Sequence, residues 1–200
     1  MSEGADVAVI THGLRERGWC HCADFLSALE LAALRSDLLE HGAQLAPAAI
    51  GRADRQIVPG IRSDETLWLT GASAAQNDFL ARMETLRAAL NRELFLGLFD
   101  YEAHYARYAP GAFYRRHLDS FRDSGTRRLL STVVYLNPRW RVADGGELVL
   151  WDAQECELAR IAPQGGSAVF FLSEQFPHEV LPASVERYNI AGWFRQRGAA

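Results

Sequence analysis

The fold is decided by a stretch near the carboxyl terminus, where residues 167–194 read SAVFFLSEQFPHEVLPASVERYNIAGWF. Short runs of β-branched and aromatic residues follow one another here, and turns that contain proline, serine or charged residues separate them. Each run is shorter than a typical helix and has the composition of a strand. This stretch therefore predicts consecutive strands of a β-sheet.

The same pattern extends towards the amino terminus as far as Gly97. Turn signals such as Ala109-Pro110-Gly111 and Asp144-Gly145-Gly146 separate the runs. The predicted strands are Tyr101–Tyr108, Leu129–Asn137, Glu147–Trp151, Glu157–Ile161, Ser167–Leu172, His178–Leu181 and Tyr188–Phe194. Short strands at this spacing are typical of a sandwich or a double-sheet barrel.

The upstream residues follow a helical period instead. Apolar residues recur at helical spacing over Asp24–His41, whose first residue can cap a helix and which Gly42 can end. A second helix is predicted from about Ala74 to Leu96, with Ser73 as its cap and Gly97 as its end. We expect both helices to pack on one side of the barrel, through apolar stripes that belong to the core.

The composition limits the chemistry, because all 21 basic side chains are arginines and the chain has no lysine. Schiff-base, P-loop and kinase-type mechanisms that depend on a lysine are therefore excluded. The net charge is −4 and the arginines are scattered, so we expect no nucleic-acid partner. We also expect no membrane span and no secretory signal, because neither pattern occurs in the sequence.

The cysteine count indicates the compartment. Three cysteines, an odd number without a secretory signal, predict reduced thiols and a cytoplasmic protein. Cys20-His21-Cys22 has the composition of half a zinc site, but Cys156 lies far away in the sequence with no cysteine or histidine close to it. The interpretation that we favour is a pair of thiols at the edge of a buried strand.

A candidate metal site begins with His117 and Asp119, at the end of a strand-like stretch. Residues i and i+2 of an extended chain point to the same face, so this imidazole and carboxylate can converge while Leu118 turns away. His178 begins a later predicted strand, which can lie opposite in a two-sheet barrel. Two histidines and one carboxylate on one face, with open positions, are the ligand set of non-haem Fe(II) oxygenases.

Arg187 adds a second function to this site, since it stands at the head of the last predicted strand, shortly after His178. A planar guanidinium suits a bidentate grip on a carboxylate. An organic acid can then chelate the iron at one end while Arg187 holds the other end. 2-Oxoglutarate has that shape.

With these motifs in place, the sequence resembles the 2-oxoglutarate- and Fe(II)-dependent prolyl 4-hydroxylases, in particular the oxygen-sensing prolyl hydroxylases of animals and their bacterial relatives. The resemblance runs from about Asp100 to Arg195. Its motifs are Ala106–Gly111, Arg116–Asp119, Val134–Asn137, Asp144–Leu148 and Pro177–Val180, followed by Arg187 and Trp193. A weaker similarity, over residues 61–69, is to the loop that closes over the substrate in this family.

The resemblance implies an α+β fold with a double-stranded β-helix, or jelly-roll, core and amino-terminal helices packed on one side. It implies one dioxygenase domain over residues 1–200. Within it, residues 1–98 would supply helical support and a substrate loop, and residues 99–196 the catalytic jelly roll.

The resemblance also implies three groups of site residues. The metal ligands, which carry catalysis, would be His117, Asp119 and His178; the residues that hold 2-oxoglutarate would be Arg187, Tyr135 and Tyr108; the residues that line the substrate entrance would be Arg128 and Trp193. One departure is Ala191, which stands two residues before the tryptophan, where some relatives have a hydroxyl residue. Hydrogen bonding near the iron is therefore expected to differ from theirs.

The implied function is a dioxygenase that uses Fe(II), 2-oxoglutarate and O2, forms succinate and CO2, and hydroxylates the 4-position of an exposed proline in a protein substrate. The family also implies a dependence on ascorbate. Arg128, Trp193 and a predicted strand pair with a mobile loop over residues 51–71 favour an extended polypeptide substrate. One alternative is the same chemistry on a small molecule or another residue type. Another is a barrel that binds metal without catalysis, which has no use for Arg187. The sequence does not indicate an oligomeric state.

Overall fold

The computed structural model describes residues 3–48, 58, 60–119 and 126–197. Among these residues, three helices flank two antiparallel sheets. The helices are α1 (Glu3–Arg17), α2 (Ala28–Glu40) and α3 (Ala74–Leu94). The strands are β1 (Trp19–Cys22), β2 (Ala46–Pro47), β3 (Glu65–Trp68), β4 (Leu98–Tyr108), β5 (Tyr114–His117), β6 (Thr126–Tyr135), β7 (Leu148–Trp151), β8 (Glu157–Ile161), β9 (Ala168–Leu172), β10 (His178–Val180) and β11 (Arg187–Arg197).

The strands form a larger sheet in the order β1-β9-β6-β11-β4-β3-β2 and a smaller sheet in the order β5-β10-β7-β8. Apart from β2-β3-β4 and β7-β8, strands that are adjacent in the sheets are distant in the sequence, because the chain crosses repeatedly between the two sheets as in a jelly roll. The expected α+β fold with a jelly-roll core and helices on one side is confirmed. Strands β1 to β3, which precede residue 99, belong to the larger sheet.

The central strands of the larger sheet pack on both faces. Tyr105 and Val134 pack into a core shared with the helices, whereas their neighbours Ala106 and Tyr135 face the smaller sheet. Gly192 is required in β11, because a Cβ atom there would overlap the hydroxyl of Tyr101. The space between the two sheets is the part of the fold that holds the candidate site.

The helix ends differ in part from the prediction. Ser27 caps α2: its hydroxyl accepts from the Glu30 amide, and the Glu30 carboxylate accepts from the Ser27 amide. Asp24 as the cap was therefore wrong, since this reciprocal capping box satisfies two end groups at once. Ser73 caps α3 as predicted, but the helix ends at Leu94, because Phe95 at the C-cap lies in the left-handed region with φ 54°, ahead of Gly97. Helix α1 was not predicted.

The predicted strands all occur, with their ends shifted by a few residues. In the predicted strand pair with a mobile loop, β3 pairs with β2, which lies upstream of residue 51. Residues 51–57 and 59 of that segment lie outside the described residues. No helix within the described ranges has the length and apolar character needed to cross a membrane.

Strand β1 explains the Cys20-His21-Cys22 motif, because it is the edge strand of the larger sheet and alternates between two faces. Both cysteines are buried and His21 is exposed on the opposite face. Across the described part of the chain, this motif joins no group of three metal-binding side chains. The arrangement agrees with a pair of thiols at the edge of a buried strand.

Candidate functional site

Two neighbouring strands of the smaller sheet bring the predicted metal ligands together. β10 pairs with β5 so that His178 lies directly opposite His117, and Asp119 follows β5 by two residues. One ligand atom from each of the three side chains lies within 4.8 Å of the others. Asp119 and His178 are buried and His117 is half-buried, so the cluster is shielded yet reachable.

The backbone fixes the orientation of both imidazoles. Nδ1 of His117 lies 2.8 Å from the Arg115 carbonyl oxygen, and Nδ1 of His178 lies 3.1 Å from the Phe176 carbonyl oxygen. A carbonyl only accepts, so each Nδ1 carries a proton, and in a neutral ring Nε2 is then the nitrogen with the free lone pair. Burial also lowers the pKa of His178 to about 4, which leaves that ring neutral. Both histidines therefore present Nε2 as a ligand atom.

Asp119 is held from one side only. Its Oδ2 accepts hydrogen bonds from Ser131 Oγ and from Trp193 Nε1, each at 2.8 Å. Burial by itself raises the pKa of Asp119, but His178, His117 and the indole of Trp193 outweigh it and lower the pKa well below its usual range. The ionised carboxylate keeps Oδ1 clear, 3.4 Å from Nε2 of His117.

Aromatic rings hold the two imidazoles in place. Tyr114 stacks on His117 with ring centroids 3.6 Å apart and an angle of 15° between the planes. Phe171 of the larger sheet meets His178 edge-on at 4.6 Å. These contacts restrict both rings before any metal binds, which lowers the entropy that binding must remove.

Arg187 is the first residue of β11 and only 1% exposed. Its Nε donates to the Gly146 carbonyl at 2.9 Å, and its Nη1 donates to Asn189 Oδ1 at 2.6 Å. Within the described residues, its Nη2 has no hydrogen-bond partner, and neither of its other two hydrogen bonds goes to a carboxylate. A buried guanidinium without a negative partner is costly, so this geometry calls for an anionic ligand.

Tyr135 supplies a second unused donor, because its buried hydroxyl also lacks a partner within the described structure. Arg187 lies over the rings of Tyr108 and Tyr135, 4.9 and 5.3 Å from their centroids. Burial raises the pKa of Tyr135 to about 12, with Arg187 opposing the rise, so the hydroxyl keeps its proton. A carboxylate that accepts from both donors would satisfy both orphaned groups.

A cavity of about 540 Å³ lies between the sheets and connects these groups. Of the predicted site residues, those that line it are His117, Asp119, His178, Arg187, Tyr108, Arg128 and Trp193. Tyr135 is buried against Arg187. Arg128 lies 3.5 Å above the Trp193 ring and pairs with Glu102 at 2.9 Å.

His104, Gly146 and Ser131 were not among the predicted site residues. His104 was interpreted as a surface or core residue, yet it is buried and lines the cavity. The sequence signal was its spacing in β4, since it lies two residues before Ala106 and four before Tyr108 and so shares their face of the strand. Gly146 was interpreted only as part of a turn, yet its carbonyl holds Arg187. Only the cross-strand arrangement shows what Gly146 and Ser131 do.

Together these observations fit an iron site next to a carboxylate site. A metal held by two imidazoles and one carboxylate would keep coordination positions for other ligands. Arg187 and Tyr135 provide donors for the far end of a dicarboxylic acid. The residues present therefore suit Fe(II) with 2-oxoglutarate.

Comparison with known proteins identifies the family. Residues 103–195 match the model of the 2OG-Fe(II) oxygenase superfamily. The structure is similar to a Pseudomonas putida prolyl-4-hydroxylase, with 44% identity and a TM-score of 0.85 over 96% of this chain and 100% of the other. The chain belongs to the prolyl 4-hydroxylases of the 2OG-Fe(II) oxygenase superfamily.

Other members of this family show the same relationship. A prolyl hydroxylase from Trichoplax adhaerens, solved with a peptide fragment of the hypoxia inducible factor oxygen degradation domain, is 25% identical with a TM-score of 0.83, over 96% of this chain and 90% of the other. The hypoxia-inducible factor prolyl hydroxylase of Caenorhabditis elegans is 27% identical over 94% of this chain and 28% of its own length. The chain thus spans about a quarter of the length of the curated relatives that it matches.

Proposed function

We propose that this protein hydroxylates the 4-position of an exposed proline in a protein substrate, using Fe(II), 2-oxoglutarate and O2 and releasing succinate and CO2. The family supports this reaction, since the relatives with solved structures include prolyl hydroxylases. The observation that carries the proposal is Arg187, a buried guanidinium without a carboxylate partner in the described structure, beside a triad of metal-binding side chains.

When bound, iron and 2-oxoglutarate supply the oxidising chemistry that places an oxygen atom on the substrate. The residues of this chain position the reactants. His117, Asp119 and His178 offer three ligand atoms that would hold the iron, and all three side chains line the cavity. Arg187 and Tyr135 would hold the distal carboxylate of 2-oxoglutarate through the donors that lack a partner.

The cavity wall is aromatic in part. The site lies between two packed sheets, and the rings of Tyr108, Tyr114 and Trp193 form part of its lining. Low polarity around these rings would strengthen the grip of Arg187 on a bound carboxylate.

The entrance supports an extended polypeptide as the substrate. Trp68 is 38% exposed and Leu118 42% exposed, so apolar surface remains open beside the cavity. The segment before β3 runs along β5: the Arg115 amide donates to the Ile61 carbonyl at 2.8 Å, and the Ser63 amide donates to the Phe113 carbonyl at 3.1 Å. An aromatic and apolar rim around a narrow cavity suits a proline on a protruding loop.

We include ascorbate and a cytoplasmic location in the proposal. Ascorbate would act as a reductant that sustains turnover, and family membership is its support. The unpaired cysteines Cys20, Cys22 and Cys156 support a reducing compartment.

The test is incubation of the protein with a host lysate, Fe(II), 2-oxoglutarate and ascorbate in air, followed by mass spectrometry. We expect one oxygen atom to be gained on a proline of a lysate protein, together with succinate. Reactions without Fe(II) or without 2-oxoglutarate are the controls.

Other outcomes would select the alternatives. Oxygen gained only on small molecules, or on another residue type, would contradict the proline assignment and keep the chemistry. Metal binding without succinate formation under any condition would contradict an oxygenase and leave a metal-binding barrel.

A further inference from the structure

Two serine hydroxyls lie behind the candidate metal site. Ser131 in β6 is 1% exposed and Ser173, just after β9, is 0% exposed. Ser131 Oγ lies 2.8 Å from Asp119 Oδ2 and 2.8 Å from Ser173 Oγ. Neither serine lines the cavity. Asp119 is therefore connected to a short chain of buried hydroxyls that the reactants do not touch.

The number of available protons fixes the direction of the hydrogen bonds between these hydroxyls. A carboxylate that binds a metal is ionised and only accepts hydrogen bonds. The single proton of the Ser131 hydroxyl must then point to Asp119. The proton between the two serines consequently belongs to Ser173, which donates to Ser131. Hydrogen bonds that run in one direction towards a charge polarise and strengthen one another.

These hydrogen bonds give the two carboxylate oxygens of Asp119 different surroundings. Oδ2 accepts from Ser131 and Trp193 and lies 3.6 Å from Nε2 of His178, whereas Oδ1 carries neither of these hydrogen bonds and lies 3.4 Å from Nε2 of His117. With two donors on Oδ2, the lone pairs best placed for a cation are those of Oδ1. We propose that Ser173 and Ser131 are positioning residues that act in series, so that Asp119 binds the metal through Oδ1 alone.

Packing does not account for these hydroxyls. The Ser173 hydroxyl has no hydrogen-bond partner among the described residues other than Ser131. A buried hydroxyl costs free energy compared with a hydrogen atom at the same place, unless its hydrogen bond is useful. Alanine fits the space at either position, so the hydroxyls are best explained by their effect on Asp119.

The test measures Mn(II) affinity by the electron paramagnetic resonance signal of the free ion, in the intact protein without 2-oxoglutarate. Groups that orient metal ligands typically contribute about 10- to 100-fold to affinity. We expect Ser131→Ala to weaken Mn(II) binding by about tenfold or more and Ser173→Ala by less. The double variant should match Ser131→Ala, because Ser173 acts only through Ser131. Effects of the two substitutions that simply multiply would overturn the serial arrangement.

The matched control is Ser167→Ala. Ser167 is also buried, and its hydroxyl donates to the Gln164 carbonyl at 2.8 Å, away from the triad. We expect unchanged Mn(II) affinity for this variant and similar melting temperatures for all metal-free variants. A loss of affinity in Ser167→Ala equal to that in Ser131→Ala would overturn the inference, because a general packing effect would then explain both.

The inference rests on the metal site of the proposed function. The experiment distinguishes a failure of that site from a failure of the role proposed for the serines. Wild-type protein that binds no Mn(II) would contradict both. Tight wild-type binding with unchanged affinity in Ser131→Ala would overturn only the role of the serines. If Ser131→Ala does not fold, Ser173→Ala decides: weaker binding at an unchanged melting temperature supports the role, and unchanged binding overturns it.

Discussion

The two ends of the cavity hold arginines in opposite circumstances. At the mouth, Arg128 pairs with Glu102, and this carboxylate also pairs with Arg195, which lies outside the cavity lining and pairs with Asp100 as well. At the deep end, Arg187 is buried and pairs with no carboxylate of the described structure. A paired arginine near the surface contributes modestly to stability and needs no ligand. A buried arginine without an anionic partner indicates a site for an anionic ligand, so we assign ligand binding to the deep end of the cavity.

The largest effect that this contrast predicts is for carboxylates. Asp119→Ala removes the anionic metal ligand, and we expect it to abolish iron-dependent succinate formation and to weaken Mn(II) binding strongly. Asp100→Ala removes a carboxylate that pairs only at the mouth, and we expect turnover to persist. Coupled activity that survives in Asp119→Ala would show that the triad is misassigned.

The next effect concerns the arginines themselves. Truncation of one partner of a buried charge pair costs about 2–5 kcal/mol, which corresponds to about thirtyfold or more in affinity. We expect Arg187→Ala to raise the 2-oxoglutarate concentration for half-maximal turnover by at least this factor, while Mn(II) affinity stays unchanged. Arg195→Ala is the matched control and should leave the requirement as in the wild type. If Arg187→Ala and Arg195→Ala required the same 2-oxoglutarate concentration, the assignment of the deep end to 2-oxoglutarate would be contradicted.

A smaller effect is expected for the second donor at the deep end. Tyr135→Phe removes one hydrogen bond to the distal carboxylate, worth about 1.5–3 kcal/mol for a charged acceptor, so the 2-oxoglutarate requirement should rise by about tenfold to a hundredfold. The same change deletes a buried hydroxyl that lacks a partner, so the ligand-free protein should melt at the same or a higher temperature. A lower 2-oxoglutarate requirement would contradict the assignment.

The smallest predicted effect concerns the mouth of the cavity and the affinity for the polypeptide substrate rather than for 2-oxoglutarate. Arg128 covers the Trp193 ring, a cation–π contact worth about 0.5–2 kcal/mol. Once a polypeptide substrate is identified, we expect Arg128→Ala to raise its KM by a few-fold and to leave the 2-oxoglutarate requirement unchanged. The opposite pattern would assign Arg128 to the deep end.

Sequence patterns predicted the residues whose roles follow from spacing. The period-two pattern placed His117 and Asp119 on one face, and the structure brings both to His178. The turn and strand signals after Gly97 predicted the strands of the jelly roll, because these patterns are local. Conversely, Asp24 was chosen as a helix cap where a stronger capping box begins at Ser27.

Local periodicity and turn signals in the sequence do not predict contacts between residues on different strands. Ser131 in β6 of the larger sheet meets Asp119, which follows β5 of the smaller sheet, across the space between the two sheets. Gly146 reaches Arg187 across 41 positions of sequence. His104 faces the cavity because register places it opposite Ala191. Such pairings depend on the three-dimensional arrangement of the sheets, so no single stretch of sequence reveals them.

The most direct test of the deep-end assignment is an anaerobic titration of the Fe(II)-loaded protein with 2-oxoglutarate, followed by visible absorption. A keto acid that chelates Fe(II) gives a weak charge-transfer band. We expect the band in the wild type and in Arg195→Ala at similar 2-oxoglutarate concentrations, and in Arg187→Ala only at concentrations at least about thirtyfold higher. Absence of the band in the wild type, or an unchanged titration in Arg187→Ala, would contradict the assignment of this pocket to iron and 2-oxoglutarate.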